Sequence, residues 1–415
     1  MIKNQKRLKI LVGCYACDPN YGSEPGMGWH FVINIAKYHN VHAIVEKHEF
    51  EENLKLYAQK HPEEVKNISF HFIPRVHHKT LRKIWPPSYY WFYRQWQKEA
   101  YRYALKLDKK ENFDIIHQLT LAGYREPGYL WKLGKPFIWG PIGGLHFTPW
   151  RLLLSMGLYG TLYFGFRNII NAYQIRRSYA AKKVAPIASN ILVCDPAVHR
   201  LIHQHWHTKC ITMREVGVDA ETAARKTTNR QQDAPIVLCW AGALYPGKAL
   251  HILLEALALS KRPYILHVLG DGPCLKKWKK KAEKLSIEKD VIFHGRVQHK
   301  DVSQIMENSH IFCITSLSEG GTTTVVLEAL QIGLPVIALN HCAYSSIITK
   351  DCGLKVDITT FRKVVKSYAE HIDFLYDNEE ERQRLSVGAV KRSQEFSWSK
   401  KSIQLNDIYA KHISI

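Results

Sequence analysis

Four segments of the 415-residue chain set glycines, hydroxyls and isolated charges where an anionic ligand could be held. The first is Gly22-Ser23-Glu24-Pro25-Gly26-Met27-Gly28-Trp29. Glycines let backbone amides approach an oxyanion, and a following helix N-terminus adds partial positive charge. The order is not a Walker loop, because no Gly-Lys-Ser/Thr follows, and it is not a dinucleotide G-x-G-x-x-G. A tight turn would use the same glycines. The second is Trp139-Gly140-Pro141-Ile142-Gly143-Gly144, where paired glycines can line a ligand cleft or make a plain loop. In the third, Gly242-Ala243-Leu244-Tyr245-Pro246-Gly247-Lys248, a lysine stands at a helix start, where its charge adds to the helix dipole in holding a phosphate. The fourth runs from Ser316 through Glu319, Gly320, Gly321, Thr322, Thr323 and Thr324 to Glu328. Its amides and hydroxyls suit a diphosphate. Glu328 sits among Val325, Val326, Leu327, Ala329 and Leu330, so its carboxylate needs a partner, either a ribose hydroxyl or a salt bridge.

These segments need elements to carry them, and each follows an apolar run of strand length. In the second half the runs are Pro235–Ala241, Tyr264–Leu269, Val291–His294, Ile311–Thr315 and Pro335–Leu339, separated by helix-period stretches. Parallel strands need crossovers, so this alternation predicts a doubly wound α/β domain. The first half repeats it with strands expected at Leu8–Cys14, Val41–Val45, Ile68–Ile73, Asp114–His117, Pro136–Trp139 and Ile191–Cys194. The polar stretch Asp219–Asp233 reads as a linker. The expected domains are 1–218 and 219–397, with a final helix at 398–415 packing back on the first. In open α/β sheets ligands bind beyond the carboxyl ends of the strands, which is where the four segments fall.

The composition, 46% hydrophobic and 11% aromatic, excludes a disordered or collagen-like chain. A net charge of +21 points to nucleic acid, an anionic membrane surface or a phosphorylated substrate as partner. No segment is long and apolar enough to span a bilayer; Leu152–Phe166 comes nearest and is interrupted by glycines. The N-terminus reads as a first strand and not as a signal peptide. Nine scattered cysteines, with Cys14 and Cys17 the one C-x-x-C, read as free thiols in a reducing cytoplasm. The cluster His199, His203, His205 and His207 has no nearby carboxylate or cysteine to complete a metal site.

Together the motifs resemble the family-4 retaining glycosyltransferases of the GT-B fold. The second half carries G-x-L-x-x-x-K, GDGP, Phe293-His294-Gly295-Arg296-Val297 and the glutamate loop before LEAL-x-x-G-x-PVI. In the first half Tyr15–Trp29, Asp114-Ile115-Ile116-His117 and Leu130–Gly144 are similar to a subgroup from bacterial surface-polysaccharide synthesis. The resemblance implies two Rossmann-like α/β domains facing across a cleft. It also implies transfer from a nucleoside diphosphate sugar, UDP- or GDP-linked, to a lipid-linked saccharide in capsule, O-antigen or exopolysaccharide synthesis. Lys248 would hold the diphosphate, Glu328 the ribose, and the backbone near Val297 the base. Gly242 and the amides of Gly320, Gly321 and Thr322 to Thr324 would cradle the phosphates. Glu319 would face the donor sugar, and Gly26 and Gly28 would lie under the diphosphate from the other wall. His117 would stand near the reacting sugar as a catalytic residue with Glu319 and Lys248. Glu24, Arg125, Gly143 and Gly144 fall to the acceptor side.

Two departures from the family pattern stand out. Ala243 replaces an arginine, leaving Arg296 as a candidate second cation, and Glu319 and Glu328 are one residue further apart than usual. With no D-x-D motif, neither metal nor cofactor is expected. From Pro127 to Cys194 there is no Asp or Glu, while cations alternate with Trp150, Leu152–Leu154, Tyr159, Tyr163, Phe164 and Phe166. Arg75–Lys110 mixes Arg82, Lys83, Arg94, Lys98 and Arg102 with Trp85, Tyr89–Tyr93 and Trp96. Both stretches suit the interface of an anionic bilayer, on the acceptor-binding half, at the inner face of the plasma membrane. The competing readings are core aromatics with solvated cations, a nucleotide-sugar epimerase on the same fold, and a basic nucleic-acid-binding protein. The last lacks any DNA or RNA motif.

Overall fold

A computed structural model describes residues 6–76, 88–219, 230–231, 233–319, 321 and 324–412. Most of the expected linker (220–229 and 232) lies outside the described residues, as do Arg82, Lys83 and Trp85. The chain forms two compact units: Met1–Leu145 with Tyr173–Glu215 and Trp398–Ile415, and His146–Ala172 with Val216–Ser397. The segment 146–172 packs with the second unit, although its sequence position placed it in the first.

The first unit is built on strands β1 (Lys9–Gly13), β2 (Asn40–Glu46), β3 (Ile68–Ile73), β4 (Ile115–Gln118), β5 (Phe137–Ile142), β6 (Asn190–Val193) and β7 (Cys210–Thr212). All pair in parallel, in the order β3-β2-β1-β4-β5-β6-β7. The second unit carries β8 (Ile236–Ala241), β9 (Tyr264–Leu269), β10 (Val291–Gly295), β11 (Ile311–Ile314), β12 (Val336–Leu339) and β13 (Gly353–Val356). They too are parallel, in the order β10-β9-β8-β11-β12-β13. The strand runs are almost wholly apolar because helices cover both faces of such a sheet. Strand order reverses between β1 and β4 in one sheet and between β8 and β11 in the other. Those two points are where a doubly wound sheet opens a ligand crevice. Strands β7 (CIT) and β13 (GLKV) are too short and mixed to show as apolar runs.

The helix Trp398–Ala410 belongs to the first unit, burying Trp398, Leu405, Ile408 and Tyr409 in its core. His117, at the centre of β4, is fully buried and has both ring nitrogens engaged. Nδ1 accepts from the Tyr409 hydroxyl at 2.7 Å, and Nε2 donates to the Gly140 carbonyl at 2.7 Å. Its place is therefore structural: it ties the last helix to the sheet and has no free nitrogen for a reacting sugar. Burial lowers it to about 4. Burial does the same to His39, His71 and His310, each lowered to about 4.

Each of these histidines is neutral in the fold and titrates near 6.5 when unfolded. Between about pH 6.5 and 4 the unfolded chain binds more protons, so stability falls as pH falls through that window. Thermal unfolding followed across it should show a steady drop in Tm. His117→Ala, leaving the Tyr409 hydroxyl and Gly140 carbonyl unpaired, should cost roughly 2–4 kcal/mol in urea titration.

Candidate functional site

In the second unit the sheet's reversal point gathers the charged residues. β8 ends at Ala241, and a single turn of 3-10 helix, Pro246–Lys248, follows. β11 pairs beside β8 and leads into Thr315–Glu319. The two exits are bonded together: Leu317 N–H donates to Gly247 O at 2.8 Å, and the Thr315 hydroxyl donates to Lys248 O at 2.8 Å. Trp240 Nε1 in turn donates to Thr315 Oγ1 at 3.0 Å. This scaffold fixes Lys248, only 8% exposed, with its Nζ on Glu319 Oε1. A buried ammonium has three donors and Glu319 uses one, so the others can meet a further anion.

Ser318, beside Glu319, is a second meeting point. Its hydroxyl is 2.9 Å from His146 Nε2 and receives Arg167 Nη1 at 3.1 Å, while Tyr245 OH donates to its carbonyl at 3.3 Å. Sequence reasoning missed Arg167 and His146 as site residues. Both lie on the 146–172 segment, whose return to this unit no local pattern announces. Arg167 sets a second cation on the residue preceding Glu319, in a chain where Ala243 supplies none. Close backbone approach shapes the same rim. At Gly270, with φ +137°, a Cβ would lie 2.0 Å from Gly242 O.

The other expected residues of this half are less concentrated. Glu328 is half-buried on the helix Thr324–Ile332, Thr324 is exposed at its start and Gly321 is half-buried. Gly320, Thr322 and Thr323 lie outside the described residues. Val297 packs on the core below the loop after β10, and Arg296 is exposed. Gly242 carries the turn after β8.

In the first unit Glu24, Arg125, Gly143 and Gly144 line one pocket of about 230 Å³, with Tyr89 and Tyr90. Glu24 accepts from Leu121 N–H, and its burial raises the carboxyl above its ordinary value. Arg125 lies over the Tyr124 ring at 4.4 Å and donates to Gln174 Oε1. Gly26 and Gly28 are not loop residues. They are buried in the helix Ser23–Ala36, where a Cβ would meet Tyr21 O at 2.2 Å and Ala16 O at 2.1 Å respectively. Their lack of a side chain lets the helix lie close against the Tyr21 and Ala16 carbonyls. His199 Nε2 sits on Cys210 O at 3.1 Å, and all nine cysteines are free. Among the described residues no cluster of His, Cys, Asp or Glu is placed to hold a metal ion.

Solved structures share this architecture. Over 98% of the chain and all of theirs, it resembles lipopolysaccharide outer core galactosyltransferase WaaB (TM-score 0.66, 16% identity) and Anabaena HepE in complex with UDP and glucose (TM-score 0.61, 15% identity). The fold is GT-B. Residues 221–392, most of the second unit, match the family model of the glycosyl transferases group 1. Among curated relatives, spore coat protein SA of Bacillus subtilis (strain 168) is 27% identical over 219 residues, 47% of this chain and 57% of that protein. Lipopolysaccharide 1,6-galactosyltransferase of Salmonella typhimurium is 32% identical over 112 residues, 26% of this chain and 31% of that protein. The chain thus spans about half, or less, of the curated relatives it matches.

Gly270 gives a direct check on how the rim is held. Gly270→Ala combines a disfavoured backbone angle with a clash on Gly242, and should lower stability in urea titration by about 2 kcal/mol or more.

Proposed function

We propose that the chain is a retaining glycosyltransferase, moving a hexosyl or N-acetylhexosaminyl group from a UDP- or GDP-sugar to a lipid-linked saccharide in surface-polysaccharide synthesis. The observation that carries this reading is the buried Lys248–Glu319 pair at the reversal point of a glycosyl transferases group 1 domain. Sugar transfer from a nucleotide donor breaks the anomeric C–O bond and gathers negative charge on the leaving diphosphate. A fixed ammonium at a partly buried site opposes that charge without reorganising during the reaction. Arg167, held on Ser318, would be the second cation. Glu319 would receive hydroxyls of the donor sugar, Glu328 the ribose, and the amides from Gly320 to Thr324 the phosphates.

With retention, the acceptor hydroxyl attacks the face that the diphosphate leaves. The C–O bond to phosphate breaks, the new C–O bond forms, and a phosphate oxygen takes the hydroxyl proton. No enzymic nucleophile and no metal are required. On the acceptor side, the pocket of Glu24, Arg125, Tyr89 and Tyr90 offers ring faces, a cation and a carboxyl that burial favours in its protonated, hydrogen-bond-donating form. A lipid-linked acceptor accords with the relatives named for lipopolysaccharide galactosyl transfer. Such an acceptor would place the enzyme peripherally at the cytoplasmic face of the membrane. Among the described residues no helix is long and apolar enough to cross it.

A thermal-shift screen of UDP-, GDP-, ADP- and CMP-sugars should show stabilisation by one nucleotide class. Lys248→Ala and Glu328→Ala should lower transfer by about a hundredfold or more with Tm little changed, and Arg167→Ala should lower it by a smaller factor. Chelator should leave turnover intact, and NMR of the product should show the donor's anomeric configuration. Stabilisation by no nucleotide sugar, or full activity in both Lys248→Ala and Glu328→Ala, would refute the reading.

A further inference from the structure

The helix Gly157–Arg177 is inside out. Its buried side carries Gly160, Phe164, Asn168 and Asn171, the two asparagines being 1% and 0% exposed. Asn168 is satisfied by both backbone groups of Thr148, at 2.9 and 2.7 Å, and Asn171 donates to His146 O at 2.9 Å. Its open side carries Leu158, Tyr159, Leu162, Tyr163, Phe166 and Ile169, each more than half exposed, with Leu158 at 79% and Phe166 at 66%. At about 100° per residue these six fall within roughly 140° of the helix circumference, a continuous stripe about 16 Å long. Leu154, 83% exposed, and Trp150 extend it toward the N-terminus. A water-facing helix places apolar residues inward; here hydrogen-bonded amides share the inner side with Phe164, and the six stripe residues are left mostly to solvent.

The stripe has basic company from its own unit. Lys277 Nζ lies 2.8 Å from where a Cβ on Gly157 would stand, at the start of the helix. Lys277 belongs to the helix Leu275–Lys284, where Lys276, Lys277, Lys279 and Lys280 are all exposed. Arg151 is exposed beside Trp150, and no Asp or Glu occurs between Pro127 and Cys194. A second copy of the chain is a poor occupant. A two-fold contact through the stripe would bring its lysines toward their own copies with no acid from this segment to offset them. An anionic lipid surface meets both features, since phosphates answer the lysines and acyl chains answer the stripe.

We propose that the helix Gly157–Arg177 lies in the interface of an anionic bilayer, with Leu158, Leu162, Phe166 and Ile169 below the headgroups and Lys276, Lys277, Lys279 and Lys280 on the lipid phosphates. The docking element therefore belongs to the nucleotide-binding unit, not to the acceptor-binding half where sequence placed it. The other aromatic stretch, where described, is divided between core and surface, with Tyr90 and Trp91 about half exposed. The helix Ser88–Glu111 buries Phe92, Tyr93 and Trp96, the last two edge-on to Tyr15 at 5.2 and 4.7 Å. The inference rests on the proposed function only for why a bilayer is near.

The test is co-sedimentation of the full chain with vesicles of phosphatidylcholine, with and without about a third phosphatidylglycerol. The wild type should bind the anionic vesicles, more weakly as salt rises. The combined change Leu158→Ser, Leu162→Ser and Phe166→Ser should weaken that binding on the order of a hundredfold. The combined change Lys276→Gln, Lys277→Gln, Lys279→Gln and Lys280→Gln should weaken it about tenfold or more and flatten its salt dependence. Unchanged thermal stabilisation by nucleotide sugar shows that both variants fold. Wild-type failure to bind, or full binding by the triple-serine variant, overturns the inference. So does a wild-type dimer that the serines split without loss of vesicle binding. Helix-dependent vesicle binding without stabilisation by any nucleotide sugar would sustain the membrane surface and defeat the glycosyltransferase reading alone.

Discussion

Parallel strand pairing is the constraint from which the rest follows. It sends every strand of a sheet out at one edge and forces each connection to cross back as a helix or long loop. In the second unit it makes the exits of β8 and β11 neighbours, so Gly247 and Leu317 can share a hydrogen bond although 70 residues apart. Lys248 and Glu319 meet because their strands are adjacent and in register. Trp240 within β8 and Thr315 just after β11 hold the turn that presents the lysine. The ion pair is thus a product of topology before it is a product of the two loops.

The same constraint explains what could be read from sequence. A parallel sheet covered on both faces writes its strands as mostly apolar runs, and eleven of them are visible as IVLCWA, YILHVL and their like. The loops after them were legible because glycine, lysine and glutamate at strand ends are few and conspicuous. What could not be read depends on contacts far along the chain. His117 was visible as a strand-end histidine, but its partner Tyr409 lies 292 residues away. Gly26 and Gly28 were visible as glycines, but the oxygens that exclude a side chain there, those of Tyr21 and Ala16, were not. The segment 146–172 was visible as acid-free and aromatic. That it crosses to the second unit and brings Arg167 to Ser318 is tertiary information.

Charge and aromatic content, which look like one signal in the sequence, separate in three dimensions. Tyr93 and Trp96 stack on each other and meet Tyr15 edge-on inside the first unit. On the helix Gly157–Arg177 Tyr159, Tyr163 and Phe166 face out, while Phe164 shares the inner side with the two asparagines. Periodicity alone assigns such a helix the wrong way round: it finds the apolar stripe correctly and places it toward the core. The hydrogen bonds of Asn168 and Asn171, with the burial of Phe164, fix its rotation.

The bond between His117 and Tyr409 also sets an order of events during synthesis. Domains tend to fold as they leave the ribosome, first part first. Here the first unit cannot close around β4 until residue 409 has emerged, after all of 216–397 has been translated. Until then the pocket that Trp398, Leu405, Ile408 and Tyr409 will fill is an open apolar trough on the earliest-made sheet. The unit translated first is finished last, and in the nascent chain it is the second unit that can reach its native core while the first still waits for its final helix.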